Sequence, residues 1–293
     1  MFNSQVLKSI RGLIINPIVN TMLRVEYLNS MQLLTILRQN DKYKTPKHLI
    51  PYGEKAFSQG DEDGILNEIF NRIDVKYKKF VEVGIGDGLE NNTVNLLFKS
   101  WSGLWIDGSK EQCEFIANKF KSILEPNSKQ LKLVETFVFP KNINDILIKN
   151  NFNTEVDLFS LDIDGNDYHV MDAINFNTFS PRVIVVEYNA KFLSDTSWKM
   201  PYNENHMWDE KTDYFGCSLK AWTDLLNTKN YSLVGCNIFG TNAFFVRNDL
   251  LGDNFCEVNN IKFHYEPARY YLIGGYKSGH SCNKSFESDY FKK

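Results

Sequence analysis

Between residues 56 and 190 the sequence alternates short, almost continuous apolar runs with amphipathic stretches, and this alternation restricts the fold more than any other feature. The runs are KKFVEVGIG, SGLWIDGS, LKLVETFVF, VDLFSLDID and RVIVVEYN. A strand with one wet face would place a polar residue at every second position, whereas near-continuous runs are buried on both faces, as in parallel sheets covered by helices. The stretches around them, SQGDEDGILNEIFNRI, NNTVNLLFKS, KEQCEFIANKF, INDILIKN and DYHVMDAIN, have helical spacing. The expected fold is therefore α/β, a doubly wound and mostly parallel sheet. Further on, SLKAWTDLLNTKN reads as a helix and YSLVGCNIFGTNAFFVR as two strands about Gly240 and Thr241, an antiparallel hairpin appended to the sheet.

Residues 1–55 carry apolar side chains at roughly helical spacing, broken by Pro17, and predict two helices. Such helices can pack on the main domain, form a homodimer with a second copy, or lie on a membrane surface as a peripheral association. Their polar face is poorer in Lys and Arg than interfacial helices require, which favours packing or dimerisation. Residues 56–250 are expected to form the main domain, and residues 251–293 a tail packed on it or partly irregular. A chain of 293 residues, 43% hydrophobic, can bury a sizeable core. The formal net charge of -3 shows no basic stripe, so no nucleic-acid partner is expected. The five cysteines are scattered without a CxxC pair, which argues against structural zinc or a disulfide framework and for a reducing compartment. No stretch approaches the roughly 20 apolar residues of a membrane span. Lys8 and Arg11 interrupt any early signal-like core. The expected location is cytoplasmic, with the inner face of the membrane as the alternative seat.

VEVGIGDG follows the first strand and opens a helix, with Gly84, Gly86 and Gly88 two apart. Glycines there permit a tight turn and close backbone approach to a ligand, and the following helix start offers N–H groups. A dinucleotide fingerprint would read G-x-G-x-x-G; G-x-G-x-G preceded by Glu82 favours another nucleotide-like ligand over NAD. The second strand ends in LWIDG and delivers Asp107 to its carboxyl edge, where acids bind ribose hydroxyls. This acid–glycine pattern resembles the S-adenosylmethionine site of class I methyltransferases, whose fold is Rossmann-like. SQGDEDGILNEIF, FVEVGIGDGLENNT, SWSGLWIDG, LFSLDIDGNDYHV, VIVVEYN and LVGCNIFGTNAFFVR, in this order, resemble the FkbM-type methyltransferases of bacterial surface-polysaccharide clusters. The likeness runs from about Phe57 to Arg247 and is less specific for the acceptor. It implies that Glu82, Gly84 and Gly86 line the cofactor, that Asp107 holds the ribose, and that Thr136 and Phe137 sit beside the adenine. Gln59 and Asp63 would reach the methionine end, or else cap the helix that SQGDED opens.

The fourth strand delivers Asp162 and Asp164 to the same edge and the same side, and the fifth delivers Glu187, with Asn189 two residues on. Strands about 4.8 Å apart let Asp164 and Glu187 share a cation, and oxygen ligands suit Mg²⁺ or Ca²⁺. Asp162 is counted with the cofactor-binding set or orients Asp164. The arrangement resembles the metal-dependent sugar O-methyltransferases of macrolide biosynthesis. It departs from them in having Asn166 where the second turn acid would fall, with Asp167 one later, and Tyr188 where the second fifth-strand acid would fall. A cation and direct binding of the acceptor by these oxygens therefore both stay open. A hydroxyl acceptor needs a base, for which the candidates are Asp164 or Asp167, then His169 or His206. Asp167 also reads as a helix N-cap and His169 as a structural histidine. His206 lies in PYNENHMWDE, a polar aromatic loop of the kind that covers an acceptor. Tyr202, Trp208 and Tyr214 could stack on a pyranose face, and Asn237 and Asn242 flank a turn. The resemblance implies an S-adenosylmethionine-dependent O-methyltransferase acting on a hydroxyl of a glycan or sugar-nucleotide precursor. N-methylation of an amino sugar and a non-catalytic cofactor-binding module are the alternatives.

Overall fold

The computed structural model describes residue 12, residues 15–209 and residues 211–272. Seven strands form one sheet, β1 (Lys79–Val83), β2 (Ser102–Asp107), β3 (Leu131–Glu135), β4 (Glu155–Leu161), β5 (Ser180–Glu187), β6 (Tyr231–Cys236) and β7 (Asn242–Arg247), in the order β3-β2-β1-β4-β5-β7-β6. The first five are parallel, and β7 runs antiparallel to both β5 and β6. The doubly wound sheet with its antiparallel C-terminal hairpin is the fold the apolar runs predict. Alternate residues feed two cores. Val81, Val83, Leu104, Ile106, Phe159 and Leu161 point to one face, and Phe80, Trp105, Leu158, Val183 and Val185 to the other.

Helices α2 (Glu62–Ile73), α3 (Val94–Phe98), α4 (Lys110–Lys119), α5 (Ile143–Lys149), α6 (Asp167–Ala173) and α7 (Leu219–Thr228) lie in the sequence positions expected for crossovers, preceded by α1 (Asn16–Arg38). One expectation needs correction. Helix α2 starts at Glu62 rather than near Ser58, because Asp63 Oδ2 accepts the backbone N–H groups of Ala56, Phe57 and Ser58 and folds that segment into a loop. Pro17 lies in the first turn of α1, where the N–H groups are unbonded in any case. The helix expected upstream of Pro17 lies outside the described residues.

Among the described residues it is the last turns of α1 that pack: Leu33, Leu34 and Leu37 meet Tyr43, Ile50, Ile238, Phe239 and Leu272. Ile18, Met22, Leu23, Val25 and Leu28 are exposed. Among the described residues no helix is long and apolar enough to cross a membrane. The described part of the tail is fastened to the domain. The buried Glu266 accepts Lys42 Nζ at 2.6 Å, Tyr43 OH at 2.7 Å and Arg269 at 2.8 Å, and its carbonyl accepts Tyr188 OH at 2.6 Å.

At the opposite edge from the glycine turn, Asp157 of β4 is fully buried. It accepts the N–H groups of Lys76, Tyr77 and Lys78 at 3.0, 2.6 and 2.6 Å and a 2.8 Å bond from Arg182 of β5. Arg182 also donates to the carbonyls of Ile73 and Asp74, so one ion pair ties two strands to the end of α2. Removing one partner of a buried pair strands the other charge. Arg182→Met should lower the unfolding free energy by about 3–5 kcal/mol, measured by urea denaturation. A loss below about 1 kcal/mol would place the pair among the weak ones.

Candidate active site

Chain order reverses between β1 and β4, and the crevice at such a switch point opens beyond the carboxyl ends of the strands. A cleft of about 1170 Å³ lies there. Its floor is the glycine turn. Gly84 has φ +78°, and a Cβ on it would sit 1.5 Å from the carbonyl oxygen of Asp162, so no other residue fits. Asp107, at the end of β2, accepts the N–H groups of Ile85 and Gly86, each at 3.0 Å, and that of Ser109 at 2.7 Å. A carboxylate offers about four acceptor positions, so most of Asp107 is committed to holding the turn. The ring of Phe137 lies on Gly108, where an added Cβ would come within 2.3 Å of it. That ring is 59% exposed and lines the cleft, as does Thr136.

Of the residues expected to meet a cofactor, Gln59, Glu82, Gly84, Gly86, Asp107, Thr136, Phe137 and Asp162 all line this cleft. Asp63 does not. It braces the loop that presents Gln59. Glu82 is 2% exposed and its oxygens accept Asn91 Nδ2 at 2.6 Å, Asn92 N at 2.8 Å and the Thr93 hydroxyl. Burial pushes its carboxyl above the usual carboxylate range, and these donors oppose the shift. Trp105 Nε1 donates to the same Thr93 hydroxyl at 2.7 Å. The sequence reading missed this clasp, although the polar triplet Asn91-Asn92-Thr93 directly after the glycine turn was its signal.

The acids divide sharply. Asp162, Asp164 and Glu187 each bring a carboxylate oxygen within 4.8 Å of the others. Asp164 is exposed and holds φ +54°, a left-handed conformation that Asp tolerates better than most residues. Burial raises the carboxyls of Asp162 and Glu187 well above their ordinary range, and the neighbouring carboxylates raise them further. Asp162 Oδ1 is buried with no hydrogen-bond partner. Three oxygen donors, one of them an orphan, fit a hard divalent cation. Asn189 is not part of this group: its amide donates to the Asp213 and Phe215 carbonyls at 2.7 and 3.3 Å and its oxygen accepts Lys191 N.

Two candidate bases are committed elsewhere. Asp167 Oδ1 accepts Ile163 N at 2.7 Å and Oδ2 accepts Gly165 N at 2.8 Å, so it braces the acidic turn at the start of α6. His169 Nε2 pairs with the Met200 carbonyl at 2.8 Å and stands outside the cleft wall; burial lowers its pKa. His206 does line the cleft, and so does Trp208. Tyr202 packs on His169, and Tyr214 packs on Trp198 and behind the cleft residue His206, with ring centroids 6.0 Å apart. Asn237 forms the β6–β7 turn by accepting the N–H groups of Thr241 and Asn242. Both Asn237 and Asn242 also donate to Glu62, and Asn242 reaches the cleft.

A parallel sheet reversing between β1 and β4, an antiparallel last strand inserted beside β5, and a glycine turn answered by an acid after β2 define the class I methyltransferase fold. Residues 71–213 match the family model described as the methyltransferase FkbM domain, so an S-adenosylmethionine-dependent methyltransferase domain is present in the chain. No curated relative matches it. Among solved structures the chain is similar to a putative caffeoyl-CoA O-methyltransferase from Staphylococcus aureus, with 12% identity, 75% of this chain and 99% of that one covered, and a TM-score of 0.45. It is also similar to an S-adenosylmethionine-dependent methyltransferase from Clostridium acetobutylicum, with 14% identity, coverage of 62% and 90%, and a TM-score of 0.38. A third, a SAM-dependent methyltransferase from Aquifex aeolicus, has 12% identity, coverage of 61% and 87%, and a TM-score of 0.34.

The acid group makes stability depend on pH. A carboxyl whose folded pKa is raised contributes stability below its unfolded pKa, and that contribution is lost as pH climbs through the raised value. With Asp162 and Glu187 both raised, the protein should become less stable from the ordinary carboxylate range upward through neutrality. Asp162→Asn removes one of the crowded charges. Its thermal midpoint should exceed that of the wild type at about pH 8, with the gap closing toward acid. Melting curves across this range check it, and a lower midpoint for the variant at the alkaline end would contradict the assignment.

Proposed function

We propose that the protein is an S-adenosylmethionine-dependent O-methyltransferase that methylates a hydroxyl of a glycan or a sugar-nucleotide precursor. One observation carries the reading: a single cleft is lined by Gly84, Gly86, Asp107, Asp162 and Asp164, with Glu187 grouped with the last two. S-adenosylmethionine supplies an electrophilic methyl carbon on a sulfonium. Gly84 and Gly86 let the backbone approach it, Phe137 offers a face for the adenine, and Asp107 keeps roughly one acceptor position for a ribose hydroxyl. Gln59 reaches the cleft from the loop before α2, on the side expected for the methionine end.

The acceptor hydroxyl attacks the methyl carbon in line, an O–C bond forms as the S–C bond breaks, and S-adenosylhomocysteine leaves. The hydroxyl proton passes to the Asp164 carboxylate, with His206 as the second acceptor. Asp162, Asp164 and Glu187 would hold a divalent cation such as Mg²⁺, which when bound lowers the pKa of a coordinated hydroxyl. Without a cation, burial and crowding favour the protonated forms of Asp162 and Glu187. Trp208 and the exposed Met207 on the cleft wall suit the apolar face of a pyranose.

Screening sugar nucleotides and surface glycans with radiolabelled S-adenosylmethionine tests the acceptor class. Calorimetric titration with S-adenosylmethionine and with NAD tests the cofactor, and tighter binding of NAD would overturn the proposal. Asp164→Ala should cost about 10²-fold or more in transfer while S-adenosylmethionine affinity stays within about threefold. Turnover at the wild-type rate would remove Asp164 from the chemistry. Thorough chelation should depress transfer if a cation takes part, and undiminished activity would leave proton transfer to the carboxylates alone.

A further inference from the structure

Among the described residues His206 is the one histidine on the cleft wall, yet it sits on a loop with no regular secondary structure. Its place is set by two residues of the acidic turn that the chemistry does not use. Asn166, 7% exposed, makes paired bonds to the backbone of one residue: its Nδ2 donates to the Asn203 carbonyl at 2.8 Å and its Oδ1 accepts Asn203 N at 3.2 Å. The Asn203 carbonyl in turn accepts His206 N at 3.0 Å, so the latched residue and the histidine belong to one turn. Gly165 provides the seat. A Cβ on Gly165 would lie 2.4 Å from His206 Cδ2, so the ring occupies the space a side chain would need. The φ of Gly165 is not left-handed, and alanine could adopt this backbone if the ring were elsewhere. The seat itself is rigid, because Gly165 N donates to Asp167 Oδ2 at 2.8 Å and Gly165 O accepts Gly216 N at 3.1 Å. On the other side of the loop Glu204 pairs with Lys141.

We propose that Gly165 and Asn166 are positioning residues for His206, and that together they build the acceptor wall of the cleft beside Asp164. The empty side of Gly165 fixes where the ring lies, and the Asn166–Asn203 pair fixes the loop that brings it there. An aspartate at 166 would keep the acceptor but lose the donor, and would set a carboxylate against the Asn203 carbonyl. The latch therefore needs an amide. The statement about the acceptor wall rests on the methyltransferase reading above; the statement about loop placement does not.

The test uses the full chain and Gly165→Ala, Asn166→Ala, His206→Ala and the Gly165→Ala/His206→Ala pair. Amide hydrogen exchange over residues 203–208 should speed up about tenfold or more in Gly165→Ala and in Asn166→Ala. The thermal midpoint lost in Gly165→Ala should return in the double variant, because truncating the ring frees the space; contacting residues are non-additive in this way. Wild-type exchange in both single variants, or additive losses in the cycle, would overturn the placement. For turnover, the acceptor identified by the radiolabel screen is the probe. Asn166→Ala should lower kcat or raise the acceptor KM about tenfold while calorimetric affinity for S-adenosylmethionine stays unchanged. Unchanged acceptor kinetics in a variant whose loop exchange has risen would overturn the acceptor-wall role and leave the placement standing. If no acceptor is methylated by the wild type, the methyltransferase proposal fails, while the exchange and melting results still decide the placement.

Discussion

Carboxylates accepting backbone N–H groups hold nearly every loop that shapes the cleft. Asp107 clasps Ile85 and Gly86, Asp167 clasps Ile163 and Gly165, Asp63 clasps three residues before α2, and Glu82 clasps Asn92. A strand that ends at a ligand crevice leaves backbone donors that cannot join a ladder, and an unpaired buried donor costs about 1–3 kcal/mol. An ionised acceptor answers several such donors at once with short, charge-assisted bonds. The loops are thereby stiff before any ligand arrives, which is the condition for aligning a methyl group with its acceptor. The arrangement also explains why Gly84 cannot be replaced. Its turn carries two donors to Asp107 while lying against the Asp162 carbonyl, with no room for a Cβ.

Against that background Asp162, Asp164 and Glu187 stand out as three carboxylates crowded together, each with an oxygen within 4.8 Å of the others. Asp167, one turn further, is the counterexample in the same short segment: both of its oxygens are used. The contrast separates structural acids from chemical ones more clearly than burial does, since Asp167 and Glu82 are both buried. Crowded carboxylates in a partly dry setting must take up a proton or a cation. Under the proposed function either outcome would serve methyl transfer, by offering a polarising or accepting oxygen to the acceptor hydroxyl.

The sheet was legible because five near-continuous apolar runs allow little else, and the hairpin because two short strands flank Gly240. The cleft was legible because strand ends, not side-chain detail, locate it: the glycine turn and Asp107, Asp162 and Asp164 are all strand-end residues. For Asp63 and Asp167 the sequence left a capping role and a site role open, and for Asn189 it suggested a ligand. A sequence gives the position of an acid or amide on an edge but not whether its oxygens are already taken by N–H groups from a neighbouring loop. The contacts of Gly165 and Asn166 with the loop went unread because their partners lie 37 or more positions away, in a loop without periodicity.

Two uncharged residues near the acid group, Asn166 and Tyr188, fasten neighbouring segments. At 166 an amide ties the 203–206 turn to the cleft. At 188 a tyrosine is fully buried and donates to the Glu266 carbonyl, docking the tail against β5. A carboxylate at either position would add charge to a cluster that already raises the pKa of Asp162 and Glu187. It could not donate either bond. The chain thus keeps three carboxylates, enough to hold one cation or take up a proton, and uses these two positions to fasten the segments that close the site. A cleft built this way depends less on a metal for its shape than one ringed by acids. Its walls are set by hydrogen bonds that are present with or without the ion.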